Sequence, residues 1–264
     1  MGTRVWAPGT PSWVQVTVRD VDKAQAFYTA LFGWEFADQF DDGGSRVYSL
    51  AQRDGQDIAG MGWLSDEMAA GGMPCLWGTF VTVENVDKTA ARVAELGGTV
   101  MLPPMDVMDA GRMVLFMDPT GAALACWEPR AHNGADLVNE PGTFCWSELQ
   151  TRDTKAAESF YTQLFGWTAK TSDAGGMAYT EFALDGRTLA GMMAMPPMVP
   201  AAVPPAWLVY FAVDDCDAAI AKVGELGGSV VMPPMDIPVG RFALVHDDQG
   251  AMFYVMRMNE MPAE

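Results

Sequence analysis

Apolar residues recur at helical spacing in two stretches of this chain. Ala24, Phe27, Tyr28, Leu31 and Phe32 form one stripe, and Ala157, Phe160, Tyr161, Leu164 and Phe165 form another. Steps of three and four put each set on one face of an amphipathic helix. Gly33 and Gly166 follow, where a left-handed cap closes a helix. Before each stripe the period changes to two, in WVQVTV from Trp13 and WSELQT from Trp146. Such alternation predicts a strand with two unlike faces. Asp20 and Asp153 stand at the strand–helix junctions as N-caps. The two copies, DKAQAFYTALFGWEF and DTKAAESFYTQLFGWTA, place Phe27 and Phe160 133 residues apart in a chain of 264. That period predicts a duplicated domain.

The same order of elements occurs twice more, in WGTFVTVENVDKTAARVAELGG from Trp77 and WLVYFAVDDCDAAIAKVGELGG from Trp207. Asn85 and Asp215 take the capping place, and Gly97-Gly98 and Gly227-Gly228 end the helices. After each helix come short strand-like pieces with glycine turns, such as RVYSL and DIAGMGWL, or GTVMLPPMD, GRMVLFMDPTG and AALACWE. The chain thus reads as four β-α-β-β-β modules, at about 11–64, 75–129, 143–195 and 205–258. Consecutive short strands favour antiparallel meanders with helices on one face, so the expected class is α+β. A first domain is expected over 1–130, a linker over 131–142 and a second domain over 143–264. A second Pro-rich joint, MPPMVPAAVPP, is either a lid or a stiff spacer.

Composition narrows the function classes. Half the residues are apolar and 19% are charged, a globular balance. The net charge of -18 disfavours nucleic acid and attracts cationic ligands. No apolar run approaches the roughly 20 residues that span a bilayer, so no membrane partner is expected. MGTRVWAPGT lacks a basic region followed by an apolar stretch, so no signal peptide is expected. Cys75, Cys126, Cys145 and Cys216 stand far apart without a CxxC pair, as reduced thiols of a cytoplasmic protein do.

D…FY…LFGW after a first strand and DPTGA before a last one resemble the vicinal oxygen chelate superfamily, which includes glyoxalase I, bleomycin-resistance proteins and extradiol dioxygenases. The resemblance covers about residues 11–258, and its nearest form is the two-domain glyoxalase-like protein of actinobacteria. The PPMD…GR…DPxGA pattern is written as Pro103-Pro104-Met105-Asp106, Gly111-Arg112 and Asp118-Pro119-Thr120-Gly121-Ala122. The second copy departs from it with Asp247-Asp248-Gln249-Gly250-Ala251. The resemblance implies that paired modules curl their sheet into an open barrel around a cavity. Partners may be neighbours in the chain or exchanged. It also implies that a divalent metal, where present, is held by His, Gln or Glu at matching strand places. Those places hold Trp13, Gly78, Trp146 and Leu208 on opening strands, and Ala125 and Tyr254 on closing strands. The closing strands of modules one and three offer only Asp57. No metal and no other cofactor is therefore expected. The two histidines, His132 and His246, read as linker and turn residues, with a His246-Asp247-Asp248 metal cluster as the alternative.

Alternation then names the face that shares those places. In the first half it carries Trp13, Gln15, Thr17, Phe80, Thr82, Ala125 and Trp127; in the second, Trp146, Glu148, Gln150, Tyr210, Met252, Tyr254 and Met256. Val14, Val16 and Val18, like Val209, Phe211 and Val213, lie opposite and pack under helices. Trp13, Gln15, Thr17, Phe80, Trp127, Trp146, Gln150, Tyr210 and Tyr254 are candidate ligand-binding residues of an aromatic pocket. A filled core is the alternative, although Gln15, Thr17, Glu148 and Gln150 are costly in a dry one. Glu148 is the candidate general acid–base, since burial among aromatics raises a carboxyl pKa; its alternative role is to order the sheet by accepting hydrogen bonds. Asp106 and Asp236 with Arg112 and Arg241 read as clasps bracing turns, with anion recognition as the weaker reading. The function expected is metal-free binding of an apolar or aromatic small molecule by a monomer or homodimer. A metal-independent lyase, isomerase or cyclase is the alternative, and the donor count argues against a metal-dependent glyoxalase or dioxygenase.

Overall fold

The computed structural model describes residues 4–173 and 176–259. The outer ends of the two expected domains, and the first three residues of the N-terminal stretch, lie outside them. Module one comprises β1 (Pro11–Val18), α1 (Val21–Phe32), β2 (Glu35–Phe40), β3 (Arg46–Arg53) and β4 (Gln56–Trp63), followed by a short α2 (Asp66–Ala70). Module two comprises β5 (Leu76–Thr82), α3 (Val86–Glu95), β6 (Thr99–Val107), β7 (Gly111–Met117) and β8 (Ala123–Pro129). Module three comprises β9 (Phe144–Thr151), α4 (Thr154–Phe165), β10 (Thr168–Asp173), β11 (Ala178–Leu184) and β12 (Arg187–Ala194). Module four comprises β13 (Ala206–Ala212), α5 (Cys216–Glu225), β14 (Ser229–Ile237), β15 (Gly240–His246) and β16 (Met252–Met258).

The α+β class and the four modules are as the sequence predicts. Two eight-stranded sheets form, in the orders β2-β3-β4-β1-β5-β8-β7-β6 and β10-β11-β12-β9-β13-β16-β15-β14, and neither order closes on itself. The last three strands of each module are an antiparallel meander. The first strand joins its far end in parallel, with Gln15 opposite Gly60 and Glu148 opposite Gly191. A helix between two strands of one sheet makes a crossover, and a crossover returns the chain in the same direction. No helix among the described residues is long and apolar enough to cross a membrane.

Local signals hold the helices in place. Asp20, Asn85, Asp153 and Asp215 each accept a backbone N–H three residues on, at 2.8–3.0 Å. Gly33 and Gly166 are left-handed caps with φ of 74° and 71°. The expected Asp–Arg clasps are present. Arg241 reaches Asp236 at 2.8 Å and forks onto Asp217 at 2.8 and 3.0 Å. Arg112 pairs with Asp87 and lies 3.5 Å from Asp106. Each clasp ties a hairpin to the first turn of α3 or α5, where an aspartate also suits the helix dipole. The Pro-rich joint is strapped down by Arg152, which donates to the carbonyls of Pro200 and Val203 at 2.8 Å.

Contacts divide the chain into two compact units. One runs to Ser12 and takes Thr79–Gly134 and Trp146–Leu208; the other takes Trp13–Gly78, Ala135–Cys145 and the chain from Val209. Each unit holds a buried hydrogen-bonded chain that runs from a tryptophan through a tyrosine to an aspartate. In the first, the Trp207 indole donates to the Tyr161 hydroxyl (2.8 Å), which donates to Asp118 (2.8 Å). The other oxygen of Asp118 accepts from the Thr120 and Ala122 amides and the Thr120 hydroxyl, at 2.7–3.1 Å. In the second, Trp77 donates to Tyr28 (2.9 Å), and Tyr28 to Asp247 (2.8 Å). Asp247 again holds its own turn, through the Gln249 and Ala251 amides. Burial first, and the aspartate next, push both tyrosines well above their ordinary pKa. The repeated Tyr of FY and the Asp of DPxG are thus partners.

The departure DDQG also has a reason. Gln249 clasps the start of α1, accepting from the Arg19 and Asp20 amides (3.0 and 2.9 Å) and donating to the Asp20 carbonyl (2.7 Å). Asp248 pairs with Lys23 at 3.2 Å.

Candidate functional site

The opening strand β1 carries Trp13, Gln15 and Thr17 on one face, with Val14, Val16 and Val18 fully buried on the other. The Trp13 indole donates to the Tyr48 hydroxyl at 3.2 Å, and Tyr48 donates to Gln15 Oε1 at 2.8 Å. Tyr48 comes from β3, across the intervening strand β4. It reaches β1 because β4 has Gly60 there: a Cβ at Gly60 would stand 1.8 Å from the Tyr48 oxygen.

The second half repeats this arrangement with one change. The Trp146 indole donates to the Tyr179 hydroxyl at 3.0 Å. Tyr179 is hydrogen-bonded to Glu148, which stands where Gln15 stood. Gln150 Nε2 donates to Glu148 Oε1 at 3.0 Å and lies 3.8 Å from the Met193 sulfur. Gly191 clears the space, since its Cβ would be 1.9 Å from the Tyr179 oxygen. Burial pushes the Tyr48 and Tyr179 hydroxyls far up, and the Glu148 carboxylate adds to the rise at Tyr179. Trp13 and Glu148 are buried, whereas Gln15, Thr17, Trp146 and Gln150 remain partly exposed.

Modules two and four hold the remaining candidates, on β5, β8, β13 and β16. Tyr210 and Tyr254 are buried and stack at 4.1 Å, with Phe242 5.6 Å from Tyr254. Phe80 is buried opposite Ala125. Trp127 is turned to the loop after β8, donating to the His132 carbonyl at 2.8 Å with the two rings 6.0 Å apart. The structure therefore joins Trp13 to Gln15, Trp146 to Glu148 and Gln150, and Tyr210 to Tyr254.

Tyr48, Tyr179, Gly60 and Gly191 escaped the sequence reading. A signal was present. Ala59-Gly60-Met61 recurs as Ala190-Gly191-Met192, and a tyrosine stands twelve residues before the glycine in both copies.

The residues at the superfamily's metal places do not fit a metal. Trp13 and Trp146 use their indole nitrogens as donors, and Gly78, Ala125 and Leu208 bring no lone pair. Among the described residues no group of three or more His, Cys, Asp or Glu converges. At the alternative place, Asp247 is engaged by Tyr28 and two amides, and Asp248 by Lys23. The four cysteines are free and buried. Burial holds the Cys216 thiol up at about 11, away from thiolate chemistry.

A family model described as Glyoxalase/Bleomycin resistance protein/Dioxygenase superfamily matches residues 10–125 and again 138–255. The chain is 43% identical over 251 residues to CFP32 of Mycobacterium tuberculosis, a protein carrying a provisional glyoxylase name, covering 94% of this chain and 95% of that one. It is 35% identical over 268 residues to the anthracycline biosynthesis protein DnrV of Streptomyces peucetius, covering 97% and 95%. The Mn(II)-bound glyoxalase of Novosphingobium aromaticivorans shares the fold at a TM-score of 0.65 and 16% identity, over 96% of this chain and 83% of that one. With its motifs, its modules and its two matched halves, the chain belongs to the glyoxalase/bleomycin resistance protein/dioxygenase superfamily.

Proposed function

We propose that the protein binds an apolar or aromatic small molecule, without a metal, against the sheet faces that carry Trp13 and Trp146. The observation behind this is the duplicated Trp–Tyr pair at the superfamily's metal places, with partly exposed polar neighbours. A filled core has no use for Gln15, Thr17 and Gln150 at its margin, whereas a ligand face needs a few oriented polar groups among aromatics. A relative named for anthracycline biosynthesis supports a polycyclic aromatic as the ligand class. The protein acts in the cytoplasm, as a monomer or homodimer, with that small molecule as its partner.

Titration of chelator-treated protein with polycyclic aromatic compounds should change tryptophan fluorescence saturably. At about 100 times Kd the ligand should add about 2.7 kcal/mol of stability. A broad panel that leaves both fluorescence and melting temperature unmoved overturns the reading. One tightly held transition metal per half, surviving the chelator, overturns its metal-free part.

One observation favours a second reading, a metal-independent lyase, isomerase or cyclase acting on a natural product or a reactive carbonyl. Glu148 is buried and oriented by Tyr179 and Gln150, and the first copy has the non-titrating Gln15 in its place. On this reading Glu148 moves the proton. Glu148→Gln should then lower turnover by about 10²–10⁴-fold while aromatic binding persists, and Gln15→Ala should not. Full turnover in Glu148→Gln removes the residue from the mechanism.

A further inference from the structure

Modules two and four differ at one place on the ligand-facing side of their sheets. On module two, Phe80 of β5, Ala125 of β8, Leu115 of β7 and Leu102 of β6 stand opposite one another in a single cross-strand row. On module four the same row holds Tyr210, Tyr254, Leu244 and Met232. Residues paired in this way point to one side of the sheet. The change that matters is Ala125 against Tyr254. One module carries a methyl group where the other carries a phenol ring.

On module four that ring is a built-in occupant. It lies on Tyr210 with centroids 4.1 Å apart and planes 17° from parallel, and Phe242 of the neighbouring row meets it at 5.6 Å. Beside it, Leu244 is only 8% exposed. On module two the corresponding leucine, Leu115, stands beside Ala125 and stays partly exposed, and Leu102 at the end of the row is 37% exposed. Phe80 keeps the place of Tyr210, but neither Ala125 nor Leu115 nor Leu102 brings a ring to lie on it. The next row adds Met105 and Met113, two unbranched thioethers that adapt to what they touch.

We propose that a planar ring of the ligand takes, on module two, the place that the Tyr254 ring takes on module four, stacked on Phe80 and set against Leu115. This rests on the binding reading above and adds the size of the ligand. The half with Ala125 accepts a ligand one aromatic ring larger than the half with Tyr254. That ring carries no polar group at this point, since the row offers none. The nearby Thr82 donates its hydroxyl proton to Ser12 at 2.6 Å. Phe80 and Ala125 are buried, so the ring enters along Leu102 and Leu115 while Met105 and Met113 repack.

The probe is 1-aminoanthracene, an uncharged fluorophore of three fused rings, titrated by calorimetry and by its own emission. Wild type should bind one molecule per chain. Ala125→Tyr should weaken that binding about tenfold or more, because the new phenol takes the ring's place on Phe80. Tyr254→Ala should raise the stoichiometry to two per chain. If Ala125→Tyr fails to fold, Ala125→Leu fills part of the same place and should weaken binding in the same direction. Unchanged affinity in the folded Ala125 variant overturns the proposal. So does a stoichiometry of two on wild type, or of one in Tyr254→Ala. Each of these results leaves the binding reading standing. A wild type that does not bind the probe also overturns the proposal, and if the wider polycyclic panel fails too, the binding reading falls with it.

Discussion

Asp118→Ala should destabilise the protein by about 3 kcal/mol or more, lowering the melting temperature by about 6–12 °C. Asp118 is 3% exposed and accepts four hydrogen bonds, from Tyr161, Thr120 (twice) and Ala122. Truncation strands a buried hydroxyl and buried backbone donors together, and a buried donor without an acceptor costs about 1–3 kcal/mol. Tyr161 in turn orients Trp207, so the loss reaches the aromatic centre of the unit. Tyr161→Phe removes the two bonds of one hydroxyl, to Asp118 and from Trp207, but leaves the bonds of the turn itself in place, and should cost less, about 1–2 kcal/mol. Urea unfolding measures both. An Asp118→Ala midpoint within error of wild type would show that the turn re-satisfies its donors elsewhere, and the role given to DPxG would fall.

The features that were legible in the sequence are those written within one element. The four Asx caps, the left-handed glycines and the stripe through Phe27 and Phe160 each need only a dozen residues to be read, and local geometry enforces them. What escaped depends on residues brought together from far apart. Tyr28 reads as one more apolar position of a helix, yet its hydroxyl meets Asp247, which reads as a turn residue. Nothing in either segment points to the other. Tyr48 and Tyr179 escaped for a related reason. Their strands give the alternation, but the partner across β4 or β12 depends on register, and a shift of one residue reverses the face. Which modules share a compact unit was likewise open, because nearly equal repeats offer nearly equal surfaces. The inner-face residues Trp13, Gln15, Trp146 and Glu148 were legible because opening strands alternate cleanly. How each is oriented was not.

Gly191→Ala should separate orientation from composition. Gly191 has no left-handed backbone to strain, so the substitution acts through its Cβ alone. That Cβ would stand 1.9 Å from the Tyr179 oxygen and 2.9 Å from Trp146 Nε1, far inside contact distance. Tyr179 must swing away, which breaks its bonds to Trp146 and Glu148 together. Overpacking of this kind costs about 1–3 kcal/mol in stability. The larger effect falls on ligand binding at this site, which should weaken more than tenfold because the indole and the carboxylate both lose the group that aims them. Gly186→Ala is the control. Gly186 lies in the turn before β12 with φ of 80° and nothing within 4 Å of its Cβ, so it should cost stability by backbone strain and leave binding unchanged. The mechanism is tested by a double-mutant cycle with Tyr179→Ala. If Gly191 acts by making room for Tyr179, then Gly191→Ala should cost little further binding once Tyr179 is truncated. Additive losses would mean that the glycine serves the ligand directly, through the space above β12, and that Tyr179 is not what it accommodates.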